Sequence, residues 1–381
     1  MNILVIGNGF DLAHGLPTTY QDFLEFTDTY TSLLKNQFYD QIAEVESHVD
    51  NNAWLNLFKM FYEGNGWIGF EKEISNIVQL VDNKVLEFDE IRKRGKGHVN
   101  FLSIERDLLR HFDSDVIQGR SYDANFISKI RNCMLNDLNR MIRCLEIYLA
   151  CCINHFPVEK ISPDIESLNI DKVLSFNYTD TYMRVYDDFP EYSIEYDYIH
   201  GKADINNTIE TNNMVLGIDE YLPKKRRDKE TEFIAFKKYY QRIYKGTGDN
   251  YKDWITAIRE ENHTYMERKH ECEVFLKKGY GLTNELEESR EELKQLNKNP
   301  PKHNLHIFGH SLDITDKDVL KGLILNDNVY TTIFYPDREE LGRKIANLVK
   351  VIGQDELIRR TGGSTKTIKF MLQRPMVPIS K

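Results

Sequence analysis

The chain is poor in the features that most quickly classify a protein. Its 381 residues include five cysteines, Cys133, Cys144, Cys151, Cys152 and Cys272, an odd number with no C-x-x-C pair. Neither a disulfide scaffold nor a zinc ribbon is therefore expected to organise the fold. No window approaches the roughly 18 consecutive apolar residues of a membrane span, so no membrane partner is expected. The N-terminus enters an apolar run with no basic leader or cleavage site, and with unpaired cysteines this reads as a reduced, cytoplasmic protein. Positive charge is not in excess: the formal net charge is −10, which repels nucleic-acid phosphate outside any local basic patch. The basic run Lys224-Lys225-Arg226-Arg227 is followed at once by Asp228, Glu230 and Glu232 and reads as a solvated face. Repeats, low-complexity tracts and obvious linkers are also missing.

What is present is an apolar content of 41%, with 12% aromatics, ordinary for a globular protein with a sizeable core. The most informative stretch comes first. Ile3-Leu4-Val5-Ile6 is an apolar run of the kind that forms a strand buried on both faces. Gly7-Asn8-Gly9 ends it with a turn open to ligand approach, and Phe10 to His14 start a helix whose N-terminus favours an anion. A dehydrogenase fingerprint would need a third glycine at position 12, where Leu12 stands. The pattern is instead Gly7-x-Gly9-Phe10-x-x-x-x-Gly15-Leu16-Pro17, then Tyr20 and Phe23.

From Leu24 to about Ile153 the spacing is helical, clearest in the stripe Ile127, Ile130, Met134, Leu138, Met141, Leu145 and Leu149. The segment Gly64 to Glu73 punctuates two helices and carries Trp67, Phe70 and Glu71. Further apolar runs follow: Lys172–Phe176 before Asn177, Tyr196–Ile199 before His200-Gly201, Met214–Ile218 before Asp219, Asn304–Phe308 before Gly309, and Val329–Phe334 before Tyr335-Pro336. Glu220 to Asn299 is charged and helical, with Leu286, Leu293 and Leu296 marking the narrow apolar edge of a hairpin. Apolar runs ending in small or polar residues fit an open parallel sheet whose ligands sit beyond the carboxyl ends of its strands. The expected fold is α/β, a Rossmann-like open parallel sheet with two large helical insertions. Residues 1–25, 165–220 and 300–355 would form the discontinuous sheet domain, 26–164 one insertion, 221–299 the charged one and 356–381 a C-terminal tail.

The opening pattern resembles the sirtuin-like NAD-binding fold, and later motifs continue the resemblance in order. Ser175-Phe176-Asn177-Tyr178-Thr179-Asp180 stands where that family has a threonine-x-asparagine-x-aspartate loop: Asn177 matches, while Thr179 occupies the aspartate slot. His200-Gly201 matches a pair whose histidine acts as base. Gly309-His310-Ser311-Leu312-Asp313 matches a cofactor-binding glycine-x-serine loop, with Asp316 extending it. The resemblance implies Asn177 and His200 as catalytic residues. It implies Gly7, Asn8, Gly9, Phe10, Asp11, Pro17, Ser175, Gly309, Ser311 and Asp313 as cofactor-binding. The four-cysteine zinc module of sirtuin deacetylases is missing, so the implied chemistry is cleavage of the nicotinamide–ribose bond of NAD by water, NAD being substrate and no metal being needed. Neutral imidazole, with a reference pKa near 6.5, suits a base at working pH.

A second resemblance spans nearly the whole chain: NGFDLAHGLPTTYQDF, GWIGFE, LSFNYTDTY, IHG and GHSLDITDKDV resemble, in sequence, the bacterial AbiH abortive-infection family. It implies a bacterial protein that stops phage propagation, silent until a phage-derived trigger acts and switched through a homo-oligomer. Two other readings remain open. Asp11, His14, His200, His310, Asp313 and Asp316 could bind a divalent ion in a metal-dependent hydrolase acting on nucleic acid. Alternatively, the sheet could sense a nucleotide without cleaving it.

Overall fold

The computed structural model describes residues 1–61, 66–94, 102–113, 124–187, 194–279 and 281–379. Gly64 and Asn65 lie outside the described residues, as do the side chains of Trp67 and Ile127.

Six parallel strands form the central sheet: β1 (Asn2–Ile6), β2 (Lys172–Ser175), β3 (Glu195–Tyr198), β4 (His303–Phe308), β5 (Val329–Tyr335) and β6 (Ile368–Leu372), in spatial order β3-β2-β1-β4-β5-β6. Strand order reverses between β1 and β4, which pair with Ile3 opposite Leu305 and Ile6 opposite Phe308. The sheet is buried on both faces, which is why its strands read as apolar runs. Ile3, Val5, Leu174, Leu305, Ile307 and Ile333 pack on one side, and Leu4, Ile6, Val173, Phe308 and Phe334 on the other, the two-residue alternation of a pleat.

Two expectations change. Met214–Ile218 is buried but forms no strand: Val215 N–H donates to His200 O at 2.8 Å, and Ile218 makes only an isolated bridge to Lys237. Residues expected as a tail supply β6, which pairs with β5 from Thr331–Ile368 to Tyr335–Leu372. Beyond it Val377–Pro378 pairs antiparallel with Lys160–Ile161.

The helices used below are α1 (Asn8–Ala13), α2 (Gly66–Arg94), α3 (Ala124–Ile147), α4 (Lys238–Lys245), α5 (Tyr251–Lys278), α6 (Thr283–Lys298), α7 (Lys317–Ile324) and α8 (Arg338–Ile352). α7 and α8 cover one face of the sheet through Val319, Leu320, Leu348 and Val351, while Phe10 of α1 packs on the other. The first insertion packs in a core that it shares with Tyr178, Met214, Leu216 and Phe236. Ile130, Met134, Leu138, Met141 and Leu145 of α3, with Leu149 just beyond it, are buried against Trp54, Phe58, Phe70 and Ile74. A π-helical turn, Tyr148–Ile153, ends α3 and carries Leu149 to the sheet end.

Candidate functional site

A cleft of about 840 Å³ opens where the strands end. Its walls include Gly7, Asn8, Gly9 and Asp11 after β1, Phe176, Asn177 and Thr179 after β2, His200 after β3, and Gly309, His310, Ser311 and Asp313 after β4. The order reversal between β1 and β4 lies at its centre, the position where open α/β sheets leave a crevice. Asn8, Asn177, His200 and Ser311, distant in sequence, all line it.

Glycines join the two central loops. Gly9 N–H donates to Gly309 O at 2.9 Å, and a Cβ on Gly309, which sits at φ +70°, would fall 2.1 Å from Phe10 N. No side chain fits between them. Gly7 N–H points to Phe308 O at 3.4 Å and Phe10 N–H donates to Gly7 O at 2.7 Å, so the amides of Gly7, Gly9 and Phe10 are used within the protein. The glycines thus bring the loops after β1 and β4 into backbone contact. Three expected ligand residues stand outside the cleft walls. Phe10 is fully buried among His14, Tyr182, Tyr186 and Phe308, because α1 turns its apolar side to the sheet. Pro17 offers its carbonyl to Tyr148 Oη at 2.6 Å. Ser175 Oγ closes a local turn, accepting from Asn177 N–H at 3.1 Å and donating to Asn177 O at 3.0 Å. Ser175 thereby fixes the turn that carries Asn177.

On the β1/β2 side, Asn177 Nδ2 donates to Gly7 O at 3.1 Å, tying the two loops together. Thr179 Oγ1 donates to Asp11 Oδ2 at 2.6 Å, and Thr181 Oγ1 donates to Thr179 Oγ1 at 3.2 Å. Burial pushes the Asp11 carboxyl up to about 6, against the Thr179 hydrogen bond that lowers it.

The opposite side is charged. His200 Nε2 lies 3.5 Å from Asp316 Oδ1, and His310 Nε2 lies 3.4 Å from Asp316 Oδ2. Leu312 N–H donates to His310 Nδ1 at 2.9 Å, so the His310 proton is on Nε2, facing the carboxylate. The turn that allows this holds Leu312 at φ +59°, a strained conformation for a side-chain-bearing residue. His200 sits in a turn that only glycine can follow: a Cβ on Gly201, at φ +79°, would meet Asn213 O at 2.2 Å. His200 Nδ1 has no hydrogen-bond partner among the described residues. With Nε2–H toward Asp316, that nitrogen carries the lone pair. Burial lowers the His200 pKa to about 4, outweighing Asp316. Burial works to raise Asp316, but His200, His310 and Lys238 outweigh it and hold the carboxyl well below its usual range.

Both insertions reach this side. Glu71 of α2 and Lys238 of α4 meet at 2.8 Å and both line the cleft. Burial pushes Glu71 up to about 7, against Lys238; burial also works against the Lys238 charge, but Glu71 and Asp316 outweigh it and keep the ammonium protonated. The pairing of Asp316 with both histidines and the Glu71–Lys238 pair escaped sequence reasoning. The GWIGFE segment carried Glu71 as a signal, but nothing local marked Lys238.

His14, a candidate metal ligand in one reading, contacts Phe10 O at 2.7 Å and Tyr186 Oη at 2.7 Å instead of the charged cluster. Among the described residues, no group of three or more His, Cys, Asp or Glu side chains forms a metal-ligand set.

A model of the bacteriophage abortive infection AbiH family matches residues 3–335. The chain belongs to this family. The matched stretch runs from the second residue of β1 to the last residue of β5 and includes both insertions and most of the cleft-lining residues. Membership makes this a protein of the phage abortive-infection class. None of the curated proteins compared with it matches. No helix among the described residues is long and apolar enough to cross a membrane.

Proposed function

We propose that this AbiH chain acts in phage defence by hydrolysing the nicotinamide–ribose bond of NAD. The reading rests on His200: a buried imidazole in the switch-point cleft, facing Asp316 through one nitrogen and unpartnered at the other. Strand order β3-β2-β1-β4-β5-β6 supports it, being the arrangement on which doubly wound sheets bind dinucleotides. The sirtuin-like motif order supports it from the sequence side, and the sheet domain with two insertions is part of the same proposal.

The chemistry balances without a redox partner. Water attacks the ribose C1′, the C1′–N bond breaks, and its electron pair returns to the pyridinium nitrogen, releasing neutral nicotinamide and ADP-ribose. The water proton passes to His200 Nδ1, and Asp316 stabilises the imidazolium formed. Asn177 keeps a carbonyl oxygen that can orient the water or a ribose hydroxyl. Ser311, Asn8 and Asp313 would contact the remainder of the dinucleotide. A phage-derived trigger and a homo-oligomeric switch complete the proposal, since NAD loss in an uninfected cell would be lethal.

The test is incubation of purified protein with NAD, with and without phage lysate, in the presence of chelator. Equimolar nicotinamide and ADP-ribose are expected. Nucleotide binding without either product would sink the enzyme reading and favour a sensor.

A further inference from the structure

Asp11, a cofactor-binding residue by resemblance alone, has so far no stated contact with a particular group of the ligand. It is 1% exposed, yet lines the cleft from the first turn of α1. Oδ2 accepts from Thr179 Oγ1 at 2.6 Å, whereas Oδ1 has no hydrogen-bond partner among the described residues. Burying a carboxyl oxygen unpaired is costly, and native structures tolerate it chiefly where a ligand or function completes the site. His200 Nδ1 is likewise buried without a partner in the same cleft. Two unfilled acceptors in one cleft call for a ligand segment that brings hydrogen-bond donors. The walls point the same way: Asp11, Glu71, Asp313, Asp316, Asp337 and Glu340 outnumber Lys238, Arg343 and Lys344. Carboxylates around Asp11 favour the part of a ligand that brings hydroxyl donors.

We infer that Asp11 is a substrate-binding residue whose Oδ1 accepts a hydrogen bond from a hydroxyl of the ribose. The inference rests on the NAD reading. Thr179 and Thr181 hold the carboxyl in place from behind, so Thr179, standing in the aspartate slot of the sirtuin-like motif, serves the site by orienting Asp11.

Asp11→Asn tests this with little change in shape. The amide oxygen can still accept from Thr179, but an N–H₂ donor then occupies the Oδ1 position. Calorimetry would compare ADP-ribose, which has the hydroxyls and no carboxamide, with nicotinamide, which has the carboxamide and no hydroxyls. The variant is expected to bind ADP-ribose about tenfold more weakly and nicotinamide unchanged. Equal ADP-ribose affinity would overturn the inference, as would a loss confined to nicotinamide. Wild-type nicotinamide release judges the NAD reading separately, whatever the affinity ratio. Thermal unfolding guards against a folding artefact. Because the folded carboxyl titrates near 6, above its usual range, its contribution to stability falls as pH rises through that value. Asp11→Asn should therefore unfold at a higher temperature than wild type at pH 8, with the gain shrinking toward pH 4. A lower midpoint at pH 8 would mark Asp11 as structural and overturn the assignment.

Discussion

The helical segments that interrupt the sheet differ in how they are held. In the first insertion Trp54, Phe58, Phe70 and the α3 stripe are buried in one core that continues into Met214 and Leu216 beside the cleft. Trp54 Nε1 even finds a buried acceptor, Met134 O at 2.8 Å. In the α5–α6 hairpin, Tyr251, Trp254, Ile255 and Ile258 anchor the first turns of α5, and α6 buries no residue at all. Leu286, Leu293 and Leu296 of α6 are only half-buried. A wide apolar stripe embeds a helix in the molecule, while a narrow one leaves it standing off as a charged arm. Position near the site follows from the same difference: the densely packed insertion delivers Glu71 to the cleft, and the second insertion delivers Lys238 from α4, ahead of the hairpin.

Breaking the densely packed insertion should have the largest effect. Trp54→Ala removes a fully buried indole and its hydrogen bond and should cost about 3–5 kcal/mol, read as a shift of the urea midpoint. A midpoint within error of wild type would mean that the first insertion is as loosely held as the hairpin. Next comes the pair joining the two insertions. Lys238→Met leaves Glu71 buried without its cation and should cost about 3 kcal/mol, the lower end for a broken buried pair because Glu71 can take up a proton. Adding Glu71→Gln to Lys238→Met should recover most of that loss at pH 8; a double variant no more stable than the single one would refute the coupling.

The cleft itself should register pH. His200 is neutral in the fold, with a pKa near 4 against about 6.5 unfolded, so its contribution is intact above 6.5 and is lost as pH falls toward 4. Between pH 7 and pH 5 it should remove on the order of 2 kcal/mol, and His200→Gln should flatten that part of the profile. Identical slopes for the two proteins would place His200 in water rather than in the cleft wall. The smallest effect belongs to the hairpin: Leu286→Ala should change stability by less than about 1 kcal/mol. A larger loss, measured by the same denaturation, would show α6 to be packed on something.

Much of this architecture was legible because local signals and tertiary placement agree. β1, β2, β4 and β5 are short runs buried on both faces and ended by Gly7, Asn177, Gly309 and Pro336, a pattern that spacing alone reveals. β6 was missed although Ile368, Phe370, Met371 and Leu372 are apolar: Lys369 interrupts the run, and at the sheet edge Ile368 is buried while Met371 and Leu372 are exposed. Met214–Ile218 misled for the opposite reason, being an extended segment buried by the insertion core with no strand beside it. In the site, motif spacing marked Asn177, His200 and the glycines that line the cleft, but not the backbone bonds of Gly7 and Gly9 to Phe308 and Gly309. The Glu71–Lys238 pair spans 167 positions between two insertions, a separation at which one sequence carries no pairing signal.

The most direct test of the central claim is nicotinamide release from NAD by wild type, His200→Ala and Asn177→Ala, each with chelator and phage lysate present. Release by wild type that falls at least a hundredfold in His200→Ala and clearly in Asn177→Ala is the predicted result. Equal release by wild type and His200→Ala would contradict it, because the unpartnered imidazole nitrogen would then have no part in the chemistry.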